Sequence, residues 1–67
     1  MKEKILEALV LAKKFYNEQL EGDREHKEED LIRYYALEDE IATEYGVEGY
    51  GWYGAICWLK DLLRFEV

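Results

Sequence analysis

Apolar side chains recur every three to four residues along most of this chain, and glycines separate the segments that follow this rhythm. A spacing of about 3.6 residues predicts α-helices. Proline is absent, and four of the five glycines fall between Gly46 and Gly54. The pattern predicts an all-α, three-helix small domain that includes residues 1–67, with helices at about 2–21, 24–45 and 52–65. A compact glycine- and aromatic-rich turn at 46–51 should join the last two.

The first predicted helix carries two apolar arcs. One stripe consists of Ile5, Leu9, Ala12, Tyr16 and Leu20. Ala8, Leu11 and Phe15 form a second arc on the helical wheel. Amphipathic surface helices usually show one apolar stripe, so this helix has more apolar surface than a single neighbour can cover. Gly22 is placed to end it with a left-handed cap.

The second predicted helix is amphipathic and acidic. Asp23 can cap it, and Glu25 in its first turn suits the helix dipole. We expect it to end before Gly46. Its predicted inner face consists of Leu31, Tyr34, Tyr35, Ile41, Ala42 and Tyr45. Its predicted outer face carries Glu29, Asp39, Glu40 and Glu44, with Arg33 as a lone cation.

The third predicted helix has only a narrow polar arc, formed by Lys60, Asp61 and Arg64. A helix that is apolar over so much of its circumference is normally surrounded. A chain of this length also hides only about 60% of its unfolded surface when it folds alone. We therefore predict a homodimeric helical bundle. The expected oligomer interface consists of Leu11, Phe15, Trp58, Leu62 and Phe65.

Negative charge is concentrated in the middle of the chain. Between Glu18 and Glu48 lie twelve of the sixteen carboxylates and only three basic side chains, which gives a formal charge of −9. Residues 1–17 carry +2, and residues 49–67 are neutral. Such a field repels nucleic acid and membrane surfaces and attracts basic partners. We expect no direct nucleic-acid or membrane binding, and a protein partner with a basic surface.

Cysteine usage and the first residues bear on the compartment. Cys57 is the only cysteine, so an intramolecular disulfide is impossible, and no CxxC or His/Cys metal framework is present. Its apolar neighbours predict core packing for Cys57. The apolar run Ala8–Ala12 is too short for a signal-peptide core or a membrane span. We expect a cytoplasmic protein without a cofactor, in the host cytoplasm if the source is viral.

Glu38 lies in the middle of the apolar arc of the second helix. Burying a carboxylate without partners is expensive. In a structural interpretation, the side chain reaches the bundle edge, or it bonds tyrosine hydroxyls and a base such as Lys13 or Arg64. In a functional interpretation, it acts as a general acid/base, a metal ligand or a polar contact that fixes helix register. No second catalytic group is identifiable, so we predict no enzyme. A carboxylate metal protein centred on Glu38, with Tyr34 and Tyr35, is a remote alternative.

His26 is the only histidine, and it follows Asp23 by three residues. That spacing loosely resembles the Glu-x-x-His pair of di-iron bundles, which need further inward-facing glutamates. Because His26 lies in the most polar stretch of the chain, we expect a solvated histidine without a metal.

The segment from Tyr45 to Gly54 is rich in glycine and aromatic residues. It contains no phosphate-binding pattern, and its surroundings are acidic. In one interpretation the rings fill the core. In the other, Tyr50, Trp52 or Tyr53 are partly exposed anchors, since Trp and Tyr are favoured at interface hot spots.

In size, acidity and aromatic content, the chain is similar to small phage or mobile-element proteins that bind and block a host enzyme. The leading hypothesis is a non-enzymatic protein-binding protein, an acidic inhibitor or adaptor that blocks a basic nucleic-acid-processing host or defence protein. The residues expected to bind this partner are Glu29, Asp39, Glu40, Glu44, Tyr50, Trp52 and Tyr53. The alternative is a structural or regulatory helical homo-oligomer without an acidic-face partner.

Overall fold

The residues that the computed structural model describes form three α-helices, which confirms the predicted all-α fold. They are α1 (Lys2–Leu20), α2 (Glu28–Tyr45) and α3 (Gly51–Glu66). No helix among the described residues is long and apolar enough to cross a membrane.

The structure describes residues 2–22, 26–46 and 51–66, except for the side chain of residue 66. The predicted helix cap Asp23 and its neighbour Glu25 fall outside these ranges, as do residues 47–50 of the predicted turn.

Helix α1 packs against both other helices, which accounts for its two apolar arcs. Ion pairs link the start of α1 to the end of α2 (Lys4 to Glu40) and the end of α1 to the start of α2 (Lys14 to Asp30), so these two helices are antiparallel. Helix α3 begins near the C-terminal end of α1, where the ring centroids of Phe15 and Trp52 are 4.8 Å apart. Because α1 ends soon after Phe15, α3 must run back along α1 to pack against it.

The core draws side chains from all three helices. Its buried members are Ile5, Ala8, Leu9, Ala12 and Phe15 of α1, Tyr34, Leu37 and Ile41 of α2, and Ala55, Ile56, Trp58, Leu59 and Leu62 of α3. Full burial of one large apolar side chain contributes roughly 1.5–3 kcal/mol. The radius of gyration is 11.4 Å, close to the value of about 11 Å expected for one folded domain of this length.

The apolar circumference of α3 is covered largely within one chain. Trp58 is 9% exposed and Leu62 is 6% exposed, while Phe15 of α1 is fully buried. These three residues were predicted to lie at an oligomer interface. They pack instead into the core of their own subunit, so their apolar character does not require a second chain.

Two glycines end helices as the sequence predicts. Gly22 follows α1 with a φ of 85°, and Gly46 follows α2 with a φ of 68°. The backbone N–H of Gly46 donates to the carbonyl oxygen of Ala42 at 2.6 Å, which satisfies one of the last carbonyls of α2. Side chains other than glycine rarely adopt these positive φ angles.

Helix α2 begins later than predicted. Its first residue is Glu28, and Lys27 at the N-cap has an extended backbone without a capping side-chain hydrogen bond. The carboxylates of Glu28, Glu29 and Asp30 in the first turn favour the positive end of the helix dipole. His26 precedes the helix because its ring is held against Phe15 of α1 and Trp52 of α3.

The buried face of α2 is rotated relative to the prediction. Tyr34 and Ile41 are buried as expected, but Tyr35 is 54% exposed. Leu37, which the predicted inner face did not include, is only 2% exposed. The rotation follows from the position of α1, which covers the Leu37 side of α2.

Candidate protein-binding surface

One side of α2 is joined to α1 by three ion pairs, which we call the ion-paired seam. Lys4 pairs with Glu40 at 2.5 Å, and Lys14 pairs with Asp30 at 2.6 Å. Arg33 donates from Nε and Nη2 to the two carboxylate oxygens of Glu7, at 2.6 and 2.8 Å. This bidentate geometry is the most favourable one available to a guanidinium and a carboxylate.

These contacts shift the titration of the groups involved. The hydrogen bond from Arg33 lowers the pKa of Glu7, and the hydrogen bond from Lys4 lowers the pKa of Glu40. Water surrounds the seam, so each pair adds little stability. Glu40 was predicted to bind a partner, but Lys4 already compensates its charge.

The remaining exposed acids of α2 are different. Glu28, Glu29, Asp39 and Glu44 are exposed, and no ion pair forms between them and any other described residue. We call these four side chains the unpaired acidic group. The hydroxyl of Thr43 donates a hydrogen bond to the backbone carbonyl of Asp39, not to its carboxylate.

Exposed apolar side chains lie on the same helix. Ile32 is 63% exposed and Tyr35 is 54% exposed. Ile32 follows Glu28 by four residues, and Tyr35 precedes Asp39 by four, so each lies one helical turn from an unpaired carboxylate. This part of the α2 surface therefore combines negative charge with apolar contact area.

Five rings form an aromatic cluster where the three helices meet. Trp52 lies 4.8 Å from Phe15, 5.2 Å from Tyr34, 5.8 Å from His26 and 6.4 Å from Tyr35, measured between ring centroids. These spacings are typical of edge-to-face and tilted aromatic pairs. Through this cluster, Trp52 of α3 contacts Tyr34 and Tyr35 of α2, although the Cα atoms of these two helices do not approach within 8 Å in the described residues.

His26 belongs to this cluster, so the predicted solvated histidine is wrong. Its side chain is 13% exposed, and its Nδ1 lies 3.1 Å from Oε2 of Glu18. Its ring centroid is 4.8 Å from that of Phe15. Phe15 and Trp52 are distant in sequence from His26, so the local polar pattern could not have indicated these contacts.

A pocket of about 170 Å³ opens beside the aromatic cluster. Its lining residues are Tyr34, Tyr35, Glu38, Gly51 and Trp52. Two of them, Tyr34 and Glu38, carry polar groups that the described residues leave incompletely paired.

Tyr34 is only 1% exposed, and its hydroxyl has no hydrogen-bond partner of good geometry among the described residues. Burial raises the pKa of Tyr34, and the nearby carboxylate of Glu38 raises it further. The hydroxyl therefore stays protonated and available as a donor at neutral pH.

Glu38 is half-buried, at the edge of the bundle rather than in the core. Neither Lys13 nor Arg64 forms an ion pair with it in the part of the chain that the structure describes. Glu38 lies beside Gly51, the first residue of α3, where the helix dipole favours a carboxylate. This position explains how the helix tolerates a carboxylate next to its apolar arc.

Other predicted residues are placed as follows. Tyr53 is 64% exposed, with its ring centroid 5.8 Å from that of Tyr16. Trp52 is partly buried in the aromatic cluster, and Tyr50 lies outside the described residues. Leu11 is partly buried, whereas Phe65 is 82% exposed.

Cys57 is exposed, which corrects its predicted place in the core. It lies on the same side of α3 as the polar residues Lys60 and Arg64, away from α1. The residues described here contain no group of three or more His, Cys, Asp or Glu side chains that could hold a metal ion.

Sequence reasoning missed Glu28, Ile32 and Tyr35 as surface candidates. Glu28 was outside the predicted outer face, and Tyr35 was assigned to the inner one. Tyr34 and Tyr35 are adjacent and both apolar enough to be buried, so only the position of α1 decides which of them is covered.

No family model, no curated protein and no solved structure matches this chain.

Proposed function

We propose that this chain is a non-enzymatic protein-binding protein, and that the unpaired acidic group of α2 captures a partner with a basic surface. The observation that carries the proposal is that some carboxylates of α2 are ion-paired and others are not. Glu40 and Asp30 are compensated by lysines of α1, whereas Glu28, Glu29, Asp39 and Glu44 have no basic partner among the described residues.

The electrostatic contribution acts mainly on the encounter. Exposed charges of one sign steer an oppositely charged partner and raise its association rate, and salt screens this effect beyond about 8–10 Å. Ile32 and Tyr35 supply contact area at short range, and tyrosine is a favoured hot-spot residue. Tyr53 on α3 is a further exposed aromatic anchor.

A basic surface of this kind is common in nucleic-acid channels. The chain would act there as an acidic inhibitor that competes with nucleic acid, in agreement with its similarity to small phage or mobile-element proteins. We place it in the cytoplasm, including a host cytoplasm, because a reducing compartment keeps the exposed thiol of Cys57 free.

Two triple variants test the acidic surface. The first replaces Glu29, Asp39 and Glu44 by lysine and spares Glu40, whose carboxylate is paired with Lys4. The control replaces Glu3, Glu21 and Asp61 by lysine, which changes the net charge equally at exposed positions outside α2. Each protein is immobilised and used to capture proteins from a cell lysate at low and high salt.

We expect the first variant to lose at least about tenfold in the amount of partner captured at low salt, a change equivalent to about 1.4 kcal/mol. The control should keep most of its capture, and high salt should weaken capture by the unmodified chain. Equal losses in both variants would show that only net charge matters, and unchanged capture by the first would refute the proposed surface.

A second candidate function, a structural or regulatory homo-oligomer, is favoured by one patch on α1. Leu6 is 42% exposed and Val10 is 66% exposed, one helical turn apart. Sedimentation from micromolar to millimolar concentration tests it. A concentration-dependent dimer that Val10→Lys abolishes would support self-association, and a monomer throughout would exclude it.

A further inference from the structure

The pocket beside the aromatic cluster combines aromatic walls with a carboxylate that forms no ion pair among the described residues. Tyr35 and Trp52 form two walls whose ring planes meet at 36° and whose centroids are 6.4 Å apart. Tyr34 closes the inner end, with its centroid 5.2 Å from that of Trp52. Glu38 lines the same pocket.

We propose that this pocket binds one cationic side chain of the partner, through the ammonium of a lysine, methylated or not, or the guanidinium of an arginine. This inference rests on the proposed function and gives it a defined contact point. The faces of Trp and Tyr rings attract cations electrostatically. A carboxylate at the same place adds a charge-assisted hydrogen bond.

The volume of the pocket suits a side-chain head group. Its 170 Å³ corresponds to about five or six water molecules at the roughly 30 Å³ that each occupies in the liquid. Pockets for drug-sized ligands are larger, at about 300–1,000 Å³. The end of a lysine or arginine side chain therefore fits, whereas a nucleotide or a larger cofactor does not.

The polar groups of the pocket select a cation over other occupants. An apolar side chain would cover the carboxylate of Glu38 without donating a hydrogen bond to it, and such burial is unfavourable. An anion would meet the carboxylate of Glu38 and the negative surface of α2. An ammonium or guanidinium group can instead donate a hydrogen bond to Glu38 while it contacts the ring of Trp52 or Tyr35.

Model compounds test the pocket without knowledge of the partner. The N-acetyl amides of lysine, trimethyllysine and arginine are titrated into the full chain, with the N-acetyl amide of norleucine as a neutral control of similar length. The signals followed by NMR are the indole N–H groups of Trp52, in the pocket, and Trp58, in the core. We expect the cationic compounds to shift Trp52 in a saturable way at millimolar concentration and to leave Trp58 unchanged.

Two pairs of variants, each a pocket substitution with its control, measure how much Glu38 and Tyr35 contribute to binding of the cationic compounds. Glu38→Gln should weaken binding of the cationic compounds by about tenfold or more. Glu29→Gln, which changes the net charge equally outside the pocket, should leave it within about twofold. Tyr35→Leu should weaken binding several-fold because it removes one aromatic wall, whereas Ile32→Ala on the same helix should not. Tyr35 and Ile32 are both exposed, so these variants are expected to fold.

Several results would overturn the inference. Equal binding of norleucine amide would show an ordinary apolar pocket, and equal effects of Glu38→Gln and Glu29→Gln would show a response to net charge alone. No saturable shift of Trp52 up to about 50 mM of any cationic compound would refute the site. Binding of choline at least tenfold tighter than that of every amino-acid amide would assign the pocket to a free small cation.

The NMR titration of the pocket and the capture test of the acidic surface can give opposite outcomes, so the two proposals can be refuted independently. Loss of capture in the Glu29, Asp39 and Glu44 variant with normal shifts of Trp52 supports both proposals, because that variant leaves the pocket intact. Normal capture by the Glu38→Gln chain, together with no Trp52 response in the unmodified chain, refutes the pocket alone.

Discussion

The ion-paired and the unpaired carboxylates of α2 are the same residue types in different surroundings. On the side that faces α1, the acids Asp30 and Glu40 and the base Arg33 are joined to partners of opposite charge at 2.5–2.6 Å. On the other exposed positions, Glu28, Glu29, Asp39 and Glu44 have no such partner among the described residues. Basic residues of α1 thus compensate Asp30 and Glu40 and leave the other four carboxylates to the surroundings.

This difference shows that net charge alone says little about where a partner binds. The middle of the chain is acidic throughout, but only part of its acidity is open to another molecule. Because most surface ion pairs contribute less than about 1 kcal/mol, the seam adds little to stability. Its main consequence is to remove Glu7, Asp30 and Glu40 from the set of carboxylates that can attract a basic surface.

The largest expected effect comes from truncating one side chain of the core against which α2 packs. Phe15→Ala deletes a fully buried ring that contacts His26, Tyr34 and Trp52, and such truncations cost about 3–5 kcal/mol. That loss is comparable to the whole stability of a domain of this size. Circular dichroism should show a chain that is largely unfolded at 37 °C.

The control for this variant is Leu20→Ala, because Leu20 is 67% exposed at the end of α1. It should change the free energy of unfolding by less than about 0.5 kcal/mol. If both variants melted alike, the aromatic cluster would not be the contact that holds α2 and α3 together.

A smaller effect, of opposite sign, is expected at the hydroxyl of Tyr34. Tyr34→Phe keeps the buried ring and removes a hydroxyl that has no hydrogen-bond partner of good geometry among the described residues, so it should raise the free energy of unfolding by about 1 kcal/mol. Urea denaturation measures this change, with Tyr53→Phe as the exposed control. A loss of 1 kcal/mol or more would mean that the hydroxyl is well paired, and that the pocket lacks a free donor.

The same variant changes the response to alkaline pH. The pKa of Tyr34 is raised in the folded chain, whereas tyrosines of the unfolded chain ionise near 10.0. The unfolded state therefore releases this proton first, and stability is lost as the pH rises above 10. Denaturation at pH 9–11 should show a shallower loss in Tyr34→Phe than in the unmodified chain or in Tyr53→Phe.

Three-dimensional context explains what the sequence could not predict. The apolar spacing and Gly22 and Gly46 were sufficient for three helices and two of their ends, because these signals are local. The start of α2 was misplaced since His26 is held by Phe15 and Trp52, which are remote in sequence. Likewise, the wheel showed two arcs on α1, but whether α3 or a second chain covers them depends on the path of the chain between helices.

The candidate site was predicted only in outline. The sequence indicated an acidic α2 with aromatic neighbours, and Glu29, Asp39 and Glu44 are indeed exposed. It could not show that Lys4 compensates Glu40, because which lysine of α1 meets which acid of α2 depends on the helix register. The same limit applies to Glu38, whose environment is set by Trp52 and Gly51 of another helix.

The smallest effect is expected at the seam itself. Arg33→Gln removes the two hydrogen bonds to Glu7 and should lower the free energy of unfolding only slightly at low salt, because both side chains are exposed. Because the pKa of folded Glu7 is lowered from 4.5, the unfolded chain takes up this proton first. The contribution is present above pH 4.5 and is lost as the pH falls through the lowered pKa.

Denaturation between pH 2.5 and pH 6 at low and high salt checks this prediction. The acid-induced loss should be smaller in Arg33→Gln than in the unmodified chain, and high salt should reduce the difference. Lys60→Gln removes an exposed cation that forms no ion pair among the described residues, so it is the control. An identical acid response in Arg33→Gln and Lys60→Gln would mean that the seam pair does not persist in solution.

The most direct test of the difference between the ion-paired and the unpaired carboxylates is an NMR titration of the full chain with tetralysine at low salt. The side-chain carboxyl signals of Glu28, Glu29, Asp39 and Glu44 should shift most, and those of Glu7 and Glu40 should shift least. Shifts that are equally large at Glu7 and Glu40, or that follow the exposure of every carboxylate including Glu3 and Asp61, would contradict the account.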